Sequence, residues 1–277
     1  MEPTTGIVEI ADVLDAAARA ASESFRLIYI DPPFFTERTH AARGGEGGFA
    51  DTWGGDLAAY LDFLGERLRA LRPLLAEDGS LLLHLDWRAV HYAKVLCDGI
   101  YGMDNFQNEI IWSYNSGGGS KKRYGRKHDT ILWYGAGPEP YFDREAARVP
   151  YDAVIAKKRA HLFNAAGKVS GDVLNISRPP NHAKEWTGWP TQKPLALMRF
   201  LVRCHSAPGD LVGDFFCGSG TTLLAAREEG RRWHGADISG DAVAIARARL
   251  AGTIELTGAP PVAQSDEQME LPRSDDR

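Results

Sequence analysis

Asp214-Phe215-Phe216-Cys217-Gly218-Ser219-Gly220-Thr221-Thr222 decides the fold class. The run from Leu211 to Phe216 predicts a buried strand, and Thr221 to Glu229 predicts a helix. A strand that passes through a glycine turn into a helix presents free backbone N–H groups at the strand's carboxyl end. That is where open α/β sheets bind nucleotide-like ligands. Two commoner versions are excluded. The position three after Gly220 is Leu223, so G-x-G-x-x-G is incomplete, and no Lys-Ser/Thr follows, so there is no P-loop. Asp237 ends the next strand, 17 residues past Gly220, placed to accept hydrogen bonds from ribose hydroxyls.

Working outward, strands and helices alternate. Helical spacing of Ile10, Val13, Leu14, Ala17 and Ala21 predicts a helix over 9–22, and Arg26 to Ile30 predicts a strand. Residues 36–56 read as a mobile glycine-rich loop, and Leu57 to Leu71 as an amphipathic helix. Ser80–Leu85, Glu109–Tyr114 and Thr130–Tyr134 are predicted strands, with a helix over 87–99. After 190 the rhythm resumes with a helix over 195–206, the quoted segment, a strand over 232–237 and a helix over 241–250. This order predicts an α/β fold with a doubly wound, mostly parallel sheet. Residues 135–190 lose periodicity and gain prolines and charge, and end in Trp186-Thr187-Gly188-Trp189-Pro190, as expected of an insertion. The expected organisation is 1–134 and 191–256 as two halves of one domain, 135–190 inserted between them, and 257–277 a disordered acidic tail.

The 277 residues are 44% hydrophobic and 25% charged, an ordinary globular composition. No apolar run reaches 18 residues and no secretory signal is visible at the N-terminus. Cys97, Cys204 and Cys217 form no C-x-x-C pair, which argues against a disulfide framework or a structural zinc and fits a reducing cytosol. No metal site is expected. The net charge of −5 points away from nucleic acid until it is located. Residues 111–190 hold thirteen lysines and arginines against seven acidic residues, which leaves the rest of the chain at −11. The excess is densest at Lys121, Lys122, Arg123, Arg126 and Lys127, with a second group at Lys157, Lys158 and Arg159. Such a stretch is either a solvated loop or a phosphate-contacting surface, and charge alone does not choose.

Asp31-Pro32-Pro33-Phe34 follows the strand at 26–30. Read plainly, it is a proline-stiffened turn. It also has chemical content: the prolines restrict the backbone, so the Asp31 carboxylate and the Pro32 carbonyl can both accept from one exocyclic amino group while Phe34 stacks on its ring. An aryl amine is a poor nucleophile because its lone pair is delocalised. Two acceptors on its N–H bonds hold it pyramidal, with the lone pair aimed at an electrophilic methyl.

Asp31–Phe34 resembles the DPPY/F motif of DNA amino-methyltransferases. Asp214–Thr222 resembles their F-x-G-x-G S-adenosylmethionine motif, and Thr191-Gln192-Lys193-Pro194 the T-Q-K-P segment before it. The order, catalytic motif first and cofactor motif last, is that of the β group of bacterial adenine-N6 and cytosine-N4 enzymes. The similarity extends over about residues 25–135 and 186–252, including Asp86–Tyr92 and His128–Tyr134.

This resemblance implies a Rossmann-like methyltransferase domain with 135–190 as target-recognition region. It implies catalytic roles for Asp31, Pro32, Pro33 and Phe34. The S-adenosyl-L-methionine site would draw on Asp31, Thr191, Lys193, Asp214, Phe215, Phe216, Cys217, Gly218, Ser219, Gly220, Thr221 and Asp237. Cys217 would pack beside the cofactor without acting as a nucleophile. The target amine must be flipped out of duplex DNA. Lys121, Lys122, Arg123, Arg126 and Lys127 would then contact phosphates, and Trp133 or Tyr134 either walls the base pocket or belongs to the core. Tyr114, Tyr124, Trp186 and Trp189 bracket that region. Asp before Pro-Pro favours adenine-N6 over cytosine-N4. An RNA methyltransferase and a non-catalytic DNA-binding subunit of the same fold remain open at this point. Double-stranded DNA is the implied partner. A homodimer and a restriction endonuclease partner are compatible with the resemblance, as is a bacterial cytoplasmic location, nucleoid-associated or phage-encoded.

Overall fold

The computed structural model describes residues 6–41, 48–114, 121–151, 164–178 and 185–252. Its strands are β1 (Gly6–Ile10), β2 (Phe25–Ile30), β3 (Arg38–Ala41), β4 (Gly48–Asp51), β5 (Leu75–Leu85), β6 (Phe106–Ser113), β7 (His128–Gly135), β8 (Arg148–Val149), β9 (Lys168–Val169), β10 (Val173–Asn175), β11 (Leu211–Asp214) and β12 (Arg232–Asp237). The helices are α1 (Val13–Arg19), α2 (Leu57–Leu71), α3 (Val90–Tyr101), α4 (Leu195–His205), α5 (Thr221–Glu228) and α6 (Gly240–Ala251).

Consecutive apolar residues in β2 and β5 demand cover on both faces, and the helices supply it. Side chains alternate along β2. Ile28 and Ile30 enter one core with Leu64 and Leu68 of α2 and Ala93 and Cys97 of α3. Leu27 and Tyr29 enter the other with Met198 and Leu201 of α4 and Leu223 and Leu224 of α5. Among the described residues eight strands form one sheet in the order β1-β12-β11-β2-β5-β7-β6-β10. Only β7 runs against its neighbours, and every other pairing is parallel.

The winding places the site. β11, late in the chain, lies beside β2, early in the chain, and the two are parallel. Their carboxyl ends therefore adjoin, where the strand order reverses and a crevice opens. The Asp31–Phe34 loop leaves β2 there and the Gly218–Gly220 loop leaves β11.

Three sequence expectations change. The helix expected over 9–22 starts at Val13, where Asp12 accepts from the Leu14 N–H at 2.9 Å. Ile10 belongs instead to edge strand β1, in register with Asp237 of β12. The loop expected over 36–56 contains an antiparallel hairpin, β3 against β4. The segment 135–190 contributes β10 to the main sheet, parallel to β6, and the Trp112 indole N–H donates to Ile176 O at 2.8 Å. Residues 42–47, Lys157, Lys158 and Arg159, and the tail 257–277 lie outside the described residues. No described helix is long and apolar enough to cross a membrane.

Candidate active site

The glycine loop is held from three sides. Gly218 and Gly220 have φ of 49° and 73°, conformations that glycine adopts without steric cost. Space is also short: a Cβ on Gly218 would lie 3.1 Å from the Trp189 indole nitrogen, and one on Gly220 2.7 Å from the Ala246 Cβ. The Gly218 N–H donates to Asp237 Oδ2 at 2.8 Å, and the Ser239 N–H to Oδ1 at 2.9 Å. Arg249, buried on α6, donates from Nη1 to Ser219 O at 2.8 Å and to Thr221 Oγ1 at 2.9 Å. Sequence reasoning missed Arg249, since an arginine among alanines on a terminal helix gives no sign of being buried.

The Asp31–Phe34 loop is organised by a residue far along the chain. The buried Asp51 carboxylate accepts from the backbone N–H groups of Phe34 at 3.0 Å, Phe35 at 3.1 Å and Thr36 at 2.7 Å. It also accepts from Thr36 Oγ1 at 2.7 Å and Trp53 Nε1 at 2.8 Å. These bonds hold Phe35 and Glu37 at φ of 59° and 55°, where non-glycine residues are uncommon. Tyr60 Oη donates to Pro33 O at 2.8 Å from beneath. A sequence pattern for Asp51 exists only in retrospect, as a carboxylate two residues before a tryptophan.

Two cavities meet on Asp31. The first is lined by Tyr29, Asp31, Trp189, Thr191, Gln192, Lys193, Asp214, Cys217, Gly218, Ser219, Thr221 and Thr222. The second is lined by Asp31, Pro32, Pro33, Phe34, Thr36, His40, Phe49, Asp51, Thr191 and Lys193. Asp31, Thr191 and Lys193 belong to both. Lys193 Nζ forms a part-buried ion pair with Asp31 Oδ2 and lies 5.0 Å from the Phe34 ring centre. Asp31 Oδ1 is buried with no hydrogen-bond partner, an acceptor aimed at nothing in the protein. Burial pushes the Asp214 carboxyl up to about 8, against hydrogen bonds from Thr222 and the Phe216 N–H that favour its charge. Burial likewise raises Asp237, against its two backbone donors.

Several expected site residues stand elsewhere. Phe215 turns into the core, its ring 5.6 Å from Phe25 and 5.4 Å from His234, and Phe216 packs against Phe63 at 6.4 Å. Neither side chain lines the first cavity: both follow the end of β11 and pack toward the same core. Asp237 is also off the cavity wall and braces the loop through Gly218. Trp133 is buried, with Nε1 donating to Ser80 Oγ at 2.9 Å midway along β5. Tyr134 is buried with its hydroxyl donating to Asp98 Oδ1 at 2.7 Å. Both are core, so the core reading of this pair holds. Trp189 lines the first cavity, and Tyr124 is 98% exposed. Tyr114 donates to Asp129 Oδ1 at 3.0 Å with Arg178 stacked on its ring at 3.8 Å. Lys121, Lys122, Arg123 and Arg126 are exposed, Lys127 is half-buried, and Arg126 lies 3.5 Å over the Trp87 ring.

A mostly parallel sheet with a glycine loop and an acidic, proline-stiffened loop on adjacent strand ends defines a methyltransferase-type α/β domain. The chain belongs to the N6/N4 DNA methylase family, whose model matches residues 25–248. Among curated proteins it is 28% identical to the DNA adenine methyltransferase YhdJ of Escherichia coli, over 86% of this chain and 80% of that protein. It is 27% identical to the type II methyltransferase M.EcaI of Enterobacter cloacae, over 77% of this chain but only 62% of the longer relative. Among solved structures, the cytosine-N4-specific PvuII DNA methyltransferase superposes with a TM-score of 0.66 at 23% identity, covering 88% of this chain and 86% of that one. A DNA modification methylase of Thermus thermophilus, complexed with S-adenosyl-L-methionine, superposes with a TM-score of 0.62 at 24% identity, covering 92% and 100%.

Proposed function

We propose that this chain transfers a methyl group from S-adenosyl-L-methionine to the N6 amine of an adenine extruded from double-stranded DNA. The observation that carries the reading is the unpartnered, buried Asp31 Oδ1 on the seam between the two cavities. The lining of the first cavity suits the cofactor: glycines allow close approach, and the Asp31 carboxylate suits a ligand with a cationic centre. When bound, S-adenosylmethionine supplies an electrophilic methyl.

The chain's own residues do the rest. Lys193 occupies Asp31 Oδ2 and fixes the carboxylate plane, leaving Oδ1 to accept an N–H of the target amine. The Pro32 carbonyl accepts the second N–H. With both N–H bonds engaged, the lone pair is freed from the ring and directed across the seam. Phe34 stacks on the base. Once methylated, the nitrogen carries a positive charge and loses one proton, for which Asp31 Oδ1 is the adjoining acceptor. The exposed cations at Lys121, Lys122, Arg123 and Arg126 serve as phosphate contacts, and 135–190 as the target-recognition region. The setting is the cytoplasm of a bacterium.

The test is to incubate unmethylated DNA with methyl-labelled S-adenosylmethionine, digest it to nucleosides and separate them. The expected product is N6-methyladenine. Label in N4-methylcytosine would reassign the target base, and label on RNA in preference to duplex DNA would reassign the substrate.

A further inference from the structure

We infer that the β3–β4 hairpin supplies the second aromatic wall of the target-base pocket, with Phe49 and His40 as the residues that receive a planar, amine-bearing nucleobase. The inference rests on the proposed reaction and names what holds its substrate.

The second cavity draws its walls from two pieces of chain. Asp31, Pro32, Pro33 and Phe34 come from the loop after β2, and His40 and Phe49 from the hairpin. The His40 and Phe49 rings stack on each other, 4.8 Å between centres and 20° between planes. Neither ring is buried in a core, so the pair is spent on the cavity wall. A stacked aromatic pair in this setting matches a flat π-surface better than an aliphatic ligand. The hairpin is latched to the catalytic loop. Thr36 Oγ1 lies 2.9 Å from His40 Nε2 and donates to Asp51, the same carboxylate that takes the Phe34, Phe35 and Thr36 N–H groups. Aromatic wall and amine acceptor are therefore held as one unit by a single residue. Trp133 and Tyr134, the sequence candidates for this wall, are in the core. Among the described residues lining the cavity, Phe34, His40 and Phe49 are the aromatic ones.

The test compares wild type with Phe49→Ala, Phe49→Tyr and Asp31→Ala. One readout is methylation of unmethylated DNA at saturating cofactor, and the other is quenching of 2-aminopurine deoxyriboside fluorescence. Phe49→Ala is expected to lower kcat/KM for DNA about 10- to 100-fold, the range for losing one base–aromatic stack. It should also abolish quenching and leave the dissociation constant for S-adenosylmethionine within about 2-fold. Phe49→Tyr retains both activities. Asp31→Ala loses methylation and keeps quenching. The inference is overturned if Phe49→Ala quenches and turns over like wild type, or if it weakens cofactor binding as much as DNA methylation. Quenching that depends on Phe49 in a protein that methylates no DNA would keep the pocket and sink the reaction.

Discussion

The two loops that meet at the site are built in opposite ways. The glycine loop after β11 is largely set by contiguous letters: two glycines supply its φ angles, and the next strand supplies Asp237 to hold it. The loop after β2 begins with two stiff prolines, but its continuation through Phe35 and Glu37 is held in an unfavourable region of φ. That strain is offset by four hydrogen bonds from Phe34, Phe35 and Thr36 to Asp51, some sixteen residues away. A local motif thus specifies one wall of the site. A tertiary contact specifies the other, and the second wall should fail more sharply when a single residue is changed.

The largest expected effect follows from that difference. In Asp51→Asn one acceptor oxygen becomes an amide donor facing N–H groups, so at least one buried N–H is left without a partner. Stability should fall by about 1–3 kcal/mol. Methylation should fall by about 100-fold because the reacting groups lose their alignment. Cofactor affinity should stay within about 3-fold, since Asp51 is on the other cavity. Thermal melts, turnover and calorimetry check the three parts, and loss of cofactor binding equal to loss of turnover would erase the contrast between the loops.

Gly220→Ala probes the local motif and should act on the other ligand. The left-handed φ costs about 1 kcal/mol for alanine, and its Cβ meets Ala246 at 2.7 Å. Cofactor affinity is expected to fall about 10-fold with the DNA dependence little changed. Equilibrium binding to each ligand separates these outcomes.

A smaller effect concerns Asp214. Its folded value of about 8 stands well above the ordinary aspartate range, so the folded state holds more protons through that window. Stability from this group is therefore full below pH about 4 and declines as pH rises toward about 8. Asp214→Asn should flatten the stability profile over that range, as denaturant unfolding at several pH values would register. An unchanged slope would place the proton elsewhere.

The sequence disclosed most of the fold because its buried strands are unbroken apolar runs and its helices carry clear stripes. β1 escaped because Ile10 sits at helical spacing from Val13, Leu14, Ala17 and Ala21, and a five-residue edge strand is too short to show its own period. The hairpin escaped because glycine-rich composition reads as loop, while its pairing and its attachment through Asp51 are long-range. At the site, Asp31, Phe34, Lys193 and the glycines were legible from motifs that each carry their own chemistry. Phe215 and Trp133, expected at the site, have their side chains in the core: an aromatic near a motif reads as a pocket wall until its packing is known. Arg249 and Asp51 gave no usable signal, since burial of a charged side chain is a property of the fold.

The central claim is that Asp31 joins the two cavities and supplies the acceptor for the reacting amine. Its most direct test is the single-turnover rate of Asp31→Ala on unmethylated DNA at saturating S-adenosylmethionine, with the cofactor dissociation constant measured on the same protein. The account predicts a rate lower by about 10²–10³ with saturation by cofactor still attainable. A variant that methylates at the wild-type rate would contradict it.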